Sequence, residues 1–374
     1  MTLRAAVIGA GAMGRHHARV YDALEETVLV GVCDQDAAAA DWVAARYRVP
    51  QFADHRALLD ALQPDIVSVV VPTLRHVAVA LDALAAGAHV LVEKPIAPTV
   101  ADATRLIDAA RAQGRVLTVG HVERFNPAIR ALRARLMDGA LGRVFTIQAR
   151  RLGPFPARVR DVGVVVDLAT HDLDIMRWLV GGEVARVHAE TARRIHTEHE
   201  DLLCGLLRFA GGEIGLLNIN WLTPTKVREL AVTGEGGMFV ADYLRQELQF
   251  HENVAADRHW ESLGVLQGVG EGNMTRLHIP QSEPLAEELR AFAAAVGGGT
   301  PPVVSGEDGR AALALALALV EAGRTGTAVD MPGGRMETAG GTATAGGASI
   351  GPRLGAGGAT TASGPVSIEG GASA

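Results

Sequence analysis

Lys94 follows Glu93 and precedes Pro95, directly after the apolar run Val90-Leu91-Val92, so its amine falls just outside the carboxyl end of a strand. Ligands of open α/β sheets bind in that crevice. Asp167 and His171 stand four residues apart in Asp167-Leu168-Ala169-Thr170-His171-Asp172-Leu173-Asp174. That stretch reads as helix, and the i, i+4 spacing puts the carboxylate and the imidazole on one face. A general base and its charge partner then meet a lysine across a cleft. Taken singly, Lys94 is an ordinary surface amine and Asp167 with His171 an ordinary intrahelical pair. Their combination is what points to proton transfer.

A second constellation needs backbone rather than side chains. Gly9-Ala10-Gly11-Ala12-Met13-Gly14 lies between the run Arg4 to Ile8 and an amphipathic stretch through Tyr21. Glycines there permit a tight turn, close approach of backbone to a pyrophosphate and close packing of helix on strand, while helix-start N–H groups face the phosphates. Asp34 stands twenty residues after Gly14, at the end of the next run, where its carboxylate accepts from the adenosine ribose hydroxyls and repels a 2′-phosphate. Gln35-Asp36-Ala37-Ala38 holds no Arg or Lys to take up such a phosphate. NAD is therefore expected over NADP. His16 and His17, just inside the helix, are expected to pack or face solvent.

The elements that must carry these groups are legible from periodicity. Short β-branched runs at Arg4 to Ile8, Val28 to Cys33, Ile66 to Val71, His89 to Val92 and Val116 to Val119 alternate with Ala-rich amphipathic stretches. Runs that are apolar almost throughout are parallel strands covered on both faces, which gives an α/β fold with a doubly wound Rossmann sheet over residues 1–120. Asp54 and Thr99 are expected N-caps.

Residues 121–330 are expected to form an α+β domain. Its helices lie at Asn126 to Asp138 and Val166 to Leu179, and its strands at Arg143 to Arg151, Val184 to Thr191, Leu202 to Phe209, Glu213 to Trp221, Val227 to Thr233, Gly237 to Asp242 and Glu247 to His251, read as an antiparallel meander. Two closing helices are expected at Pro284 to Val296 and Glu307 to Arg324, the latter opened by Ser305-x-x-Asp308 as a capping box. From Gly333 to Ala374, 31 of 42 residues are Gly, Ala, Ser or Thr. Such a tail has too little apolar surface to offset its ordering entropy and is expected to be disordered and functionally silent.

Composition narrows the function classes. A net charge of −7 and no basic stripe interleaved with aromatics argue against a nucleic-acid partner. No run of about 18 apolar residues occurs, so no membrane partner is expected. Cys33 and Cys204 match no disulfide or zinc spacing, and the N-terminus lacks a signal-peptide profile, so a cytoplasmic location is expected. His196-Thr197-Glu198-His199-Glu200-Asp201 gathers imidazoles and carboxylates, but hydride transfer to NAD needs no metal; a solvated edge is expected.

The glycine fingerprint, Glu93-Lys94-Pro95 and Asp167-x-x-x-His171, in that order, resemble the glucose-fructose oxidoreductase and inositol 2-dehydrogenase family (Gfo/Idh/MocA) over roughly residues 1–330. The resemblance implies an NAD(P)-binding Rossmann domain, a second domain with a large, mainly antiparallel open sheet, and a homo-oligomer, dimer or tetramer. It implies Lys94, Asp167 and His171 as the catalytic triad, with Pro72, Thr73, His76, Glu93 and Lys94 joining Gly9, Gly11, Ala12, Met13, Gly14 and Asp34 around the cofactor. Either Lys94 or His171 is the proton acceptor in such a triad. We prefer His171 as base, Asp167 stabilising the imidazolium and the Lys94 ammonium stabilising the developing alkoxide.

A narrower resemblance, to the UDP-N-acetylglucosamine 3-dehydrogenase branch, lies in Gly120-His121-Val122-Glu123-Arg124-Phe125-Asn126-Pro127, Arg150 to Pro156, Arg158 to Gly163 and Asn220 to Lys226. It implies a nucleotide-sugar substrate oxidised at C3. Arg124, Arg151, Arg158, Arg160 and Lys226 are the cations expected to meet its diphosphate, with Asn126 beside them. The alternatives are a dehydrogenase of a free cyclic polyol or antibiotic-pathway sugar, and a non-catalytic NAD-binding regulator.

Overall fold

The computed structural model describes residues 2–156, 162–196, 198–255 and 269–332. The first half alternates strand and helix: β1 (Leu3–Ile8), α1 (Ala12–Ala23), β2 (Thr27–Cys33), α2 (Ala37–Tyr47), β3 (Gln51–Phe52), α3 (His55–Leu62), β4 (Ile66–Val69), α4 (Thr73–Ala85), β5 (His89–Glu93), α5 (Val100–Ala112) and β6 (Leu117–Gly120). The six strands are parallel in the order β3-β2-β1-β4-β5-β6. The order reverses between β1 and β4, which opens a crevice at their carboxyl ends. β4 and β6 are buried at every residue, as apolar runs covered on both faces must be.

The caps follow the side chains. Asp54 accepts from Arg56 N and Ala57 N, and Thr99 from Asp102 N, so each satisfies helix-start N–H groups that have no intrahelical partner. β3 has two residues, too few to show a period. β4 stops at Val69, although Val70 N still donates to Ile8 O at 2.7 Å.

A 3₁₀ turn, Val122–Phe125, leads into α6 (Pro127–Met137), capped by Asn126, and then β7 (Val144–Pro154). A π-helical turn, Val165–Ala169, runs directly into α7 (Thr170–Val180). β8 (Val184–Ala192), β9 (Leu202–Phe209), β10 (Ile214–Asn220), β11 (Leu222–Gly234), β12 (Gly237–Asp242), β13 (Glu247–Ala255) and β14 (Val269–Leu277) follow. Last come α8 (Pro284–Gly298), α9 (Gly306–Thr325) and β15 (Val329–Asp330).

The second sheet is mixed, in the order β14-β13-β12-β11-β7-β10-β9-β8-β15. The expected meander is interrupted: β7 inserts between β10 and β11 and runs parallel to β10. Consecutive strands tell nothing about a third one arriving from earlier in the chain. β14 was not among the expected strands, and β11 begins five residues early, its register shifting between Leu222 and Val227 around Pro224. One face buries Ile147, Leu203, Leu217 and Phe209 with Leu173 and Met176 of α7 and Leu319 of α9. On the other face Phe145, Leu206 and Leu216 remain exposed.

The closing helices return to the first sheet. Leu285, Leu289 and Phe292 of α8 complete the core formed by Tyr21 of α1 and strands β1 and β2, and α9 packs on α5, β6, α7 and β8. The Ser305–Asp308 capping box is present. The tail from Gly333 lies outside the described residues.

Candidate active site

The glycine turn assigns a different task to each glycine. Gly9 has φ of +106°, and a Cβ there would lie 2.3 Å from Val70 O. A Cβ on Gly14 would lie 1.8 Å from Gly9 O, so α1 sits against the turn only because that residue is glycine. A Cβ on Gly11 would meet nothing within 4 Å, leaving the backbone open on the crevice side. Gly9, Gly11, Asp34, Val70 and Pro72 line a cavity of about 760 Å³. Asp34 is fixed in it by Ala10 N, which donates to Oδ2 at 2.6 Å, and by Asp36 N, which donates to Oδ1 at 2.9 Å.

An open turn, helix-start N–H groups and an oriented carboxylate fit the dinucleotide's pyrophosphate and adenosine ribose. Ala12, Met13 and Thr73 begin the two helices facing this crevice. Arg75, from the first turn of α4, also lines the cavity and was not anticipated.

Glu93 and His76 sit differently from expectation. His76 is buried between two carbonyl oxygens, Val71 O at 2.8 Å and Pro95 O at 2.9 Å, and braces the two loops that follow β4 and β5. Glu93 turns inward beneath the crevice. His17 Nε2 lies 3.1 Å from its Oε1, and Lys94 N donates to Oε2 at 3.1 Å. The hydrogen bond from His17 overcomes the cost of burial and holds the Glu93 carboxyl below its ordinary range. Behind it Ser68 Oγ links His17 Nδ1 at 3.0 Å to Tyr21 OH at 2.8 Å. His17 is thus a buried network member that anchors the lysine's turn.

Lys94 reaches across to the π-helical turn. Its Nζ donates to Asp167 Oδ1 at 2.9 Å and to Asp167 O at 2.7 Å. The i, i+4 pairing of Asp167 with His171 assumed a regular α-helix. Residues 165–169 form a π turn instead, and from it Asp167 meets Lys94. His171 follows in α7 with Nδ1 buried and unpartnered among the described residues. Burial first, then the cations of Lys94 and Arg151, holds its imidazole well below the ordinary value of 6.5, so it is neutral near neutral pH.

α7 also presents two buried carboxylates. Asp174 receives Arg124 Nε at 2.7 Å and Nη2 at 2.5 Å, and Asp172 receives Arg151 Nε at 2.7 Å and Nη2 at 3.1 Å. Arg124 Nη1 goes to Val303 O and Asp308, and Arg151 Nη1 to Glu123. Asn126 is spent as well, capping α6 and donating to Tyr243 O. These three residues were expected at the substrate. They are instead struts that clamp the helix bearing His171 between the end of β6 and β7, because a buried guanidinium needs a carboxylate. Lys226 is exposed in the irregular start of β11. Arg158 and Arg160 lie outside the described residues.

Comparisons with known proteins decide the family. A model described as "Oxidoreductase family, NAD-binding Rossmann fold" matches residues 3–121, and "GFO/IDH/MocA C-terminal domain" matches residues 129–240. The chain is 32% identical over 315 residues to UDP-N-acetylglucosamine 3-dehydrogenase of Acidithiobacillus ferrooxidans, covering 84% of this chain and 95% of that one. This chain belongs to the Gfo/Idh/MocA family. The solved structure of that relative superposes with a TM-score of 0.76 at 31% identity, covering 86% of this chain and 97% of the other. D-glucoside 3-dehydrogenase of Escherichia coli is 29% identical over 356 residues, with 88% and 97% covered. An oxidoreductase from Agrobacterium radiobacter, crystallised with NAD+, L-tartaric acid and magnesium, shares the fold at 20% identity, a TM-score of 0.76, and 88% and 98% coverage.

As a member of this family the protein is an NAD-dependent oxidoreductase. Two groups beside its Lys94–Asp167 pair escaped the sequence reading. Arg228 of β11 donates to Leu152 O at 2.5 Å and has no carboxylate partner among the described residues. Burial and the neighbouring Arg151 lower its pKa. Its signal was a basic residue two positions after Lys226. His121, at the carboxyl end of β6, is buried with both ring nitrogens unpartnered among the described residues. Its signal was its place at a strand end one strand from Lys94.

Proposed function

We propose that the protein oxidises a secondary hydroxyl of a sugar to a ketone, and that the substrate is a nucleotide sugar oxidised at C3, UDP-N-acetylglucosamine in particular. The observation that carries the reading is the meeting of Lys94 and Asp167 at 2.9 Å at the crevice where β5 ends, on the turn that leads into the helix of His171. NAD, held by the Gly9–Gly14 turn and Asp34, would supply the hydride acceptor for the carbinol carbon. His171 takes the hydroxyl proton, for which a neutral imidazole is suited. Lys94, ion-paired to Asp167, suits stabilisation of oxygen charge better than proton acceptance, and Asp167 fixes where that ammonium points.

The C3 position and the nucleotide are supported by the 32% identical relative. Lys226, exposed in β11, and Arg228, without a carboxylate partner among the described residues, are the cations we assign to a diphosphate. A free sugar or polyol is the second reading. It is favoured by the commitment of Arg124 and Arg151 to buried carboxylates and by inositol 2-dehydrogenase of Acidothermus cellulolyticus, 31% identical over 274 residues. The exposed apolar row Phe145, Leu206 and Leu216 supports a homo-oligomer formed through the open sheet face. Cys33 and Cys204 are free thiols, in keeping with a cytoplasmic enzyme. No helix among the described residues is long and apolar enough to cross a membrane.

The test is NADH formation with UDP-N-acetylglucosamine, D-glucosides and myo-inositol side by side. Faster turnover of myo-inositol removes the nucleotide-sugar reading, and no turnover with NAD still bound favours a regulator. Lys94→Ala and His171→Ala should each lower kcat by about 10²- to 10⁴-fold with NAD affinity nearly unchanged. Wild-type rates in either variant refute the role given to that residue.

A further inference from the structure

His171 and His121 each lack something the other can supply. A base that accepts a proton at Nε2 must carry its resting proton on Nδ1, and that N–H needs an acceptor to hold the tautomer. In His171 the Nδ1 atom is buried without a partner among the described residues, and Asp167, four residues earlier, is bonded to Lys94. His121 is 2% exposed, and neither of its ring nitrogens has a partner among the described residues. The two rings are neighbours, with centroids 6.4 Å apart and planes at 89°. Buried polar nitrogens left unbonded cost about 1–3 kcal/mol each, so three on adjacent rings call for an explanation.

We infer that His121 is the positioning residue for His171, accepting the Nδ1 proton and thereby keeping Nε2 free to receive the proton of the substrate hydroxyl. The spacing suits this. With ring nitrogens about 1 Å from their centroids and hydrogen bonds of about 2.9 Å, one bridging water fits between facing nitrogens, and a ring approach of about 1 Å makes the bond direct. Two neutral imidazoles are complementary, since each offers one N–H and one lone pair. Burial lowers the pKa of both rings and so favours that neutral pairing.

The charged surroundings are mixed. Lys94 after β5, Arg151 of β7 and Arg228 of β11 act on His171. Arg124 of the 3₁₀ turn, Lys94, Asp174 of α7 and Asp308 of α9 act on His121. Asp172, the next residue after His171, is neutralised by Arg151. None of these carboxylates is left over for His171, since Asp174 and Asp308 bind Arg124.

The inference rests on the proposed role of His171 as base, and two measurements separate the two. Nitrogen-15 imidazole spectra of the full chain with NAD, assigned by loss of the signal in His171→Gln, read the tautomer without turnover. We expect the Nδ1–H form in wild type and a shift toward Nε2–H in His121→Phe. In kinetics, His121→Phe should lower kcat on the order of tenfold to a hundredfold with little change in KM, and move the acid limb of the kcat profile to lower pH, because the imidazolium loses its acceptor. His121→Asn or His121→Gln, whichever sets its amide oxygen toward Nδ1, should restore both. An unchanged His171 tautomer in His121→Phe overturns the inference, as does an unmoved acid limb in an active variant. A wild-type protein that oxidises no sugar removes the reading of His171 as base, while the tautomer result still decides whether His121 holds it.

Discussion

The two sides of the crevice are built on opposite physics. On the cofactor side the first sheet works by leaving things out: Gly9 and Gly14 have no side chain because backbone oxygens occupy the space, and Gly11 leaves an opening. On the facing side the second sheet works by burying charge. Asp172, Asp174, Arg124 and Arg151 are each at most 4% exposed, and they pair to hold the helix that carries His171. The first arrangement tolerates no added atom. The second tolerates no lost partner, because a buried ion pair adds little net stability while an orphaned buried charge is expensive.

Asp174→Ala gives the largest expected break in that contrast. It leaves the Arg124 guanidinium buried with only Asp308 as counter-charge and should cost about 3 kcal/mol, read as a lowered denaturant midpoint. An effect below about 1 kcal/mol shows that the pair is not holding α7. Gly14→Ala comes next. Its methyl meets backbone at 1.8 Å, so stability should fall by about 1–3 kcal/mol, and NAD affinity with it, both read by calorimetry. Normal NAD binding there breaks the cofactor half of the comparison.

The smallest effect sharpens the boundary between the halves. Glu288 of α8 is buried with neither carboxylate oxygen partnered among the described residues, and burial, with Glu93 and Asp174 nearby, pushes its pKa well above 4.5. The folded state therefore keeps a proton that the unfolded chain gives up above about pH 4.3. Stability from this group is whole below that pH and declines as pH rises toward the folded value, by up to about 1.4 kcal/mol per unit. Glu288→Gln should flatten that slope in denaturant titrations across the neutral range. A slope equal to wild type assigns the titration elsewhere.

The same contrast governs how much could be read from sequence. The glycine turn, Asp34 and the caps Asp54 and Thr99 act on residues within one turn of themselves or at a fixed offset, so spacing alone places them. Arg124 and Asp174 are 50 residues apart, and no periodicity marks them as partners rather than as free cation and solvated acid. Asp167 was expected near both His171 and Lys94, and its bond to Lys94 is present, but nothing in its sequence announces the π turn that carries it. The insertion of β7 between β10 and β11 was hidden for the same reason. Local patterns show which strands exist, while sheet order is settled by packing across the whole chain.

The return of α8 to the first sheet bears on how the protein is made. Leu289 and Phe292 seal a core whose walls at β1, α1 and β2 were synthesised more than 250 residues earlier. A nascent chain emerging from the ribosome thus displays an uncovered seam along β1 and α1 throughout translation of the second sheet. Until α8 emerges, that seam is a ready binding place for a chaperone or for another unfinished copy.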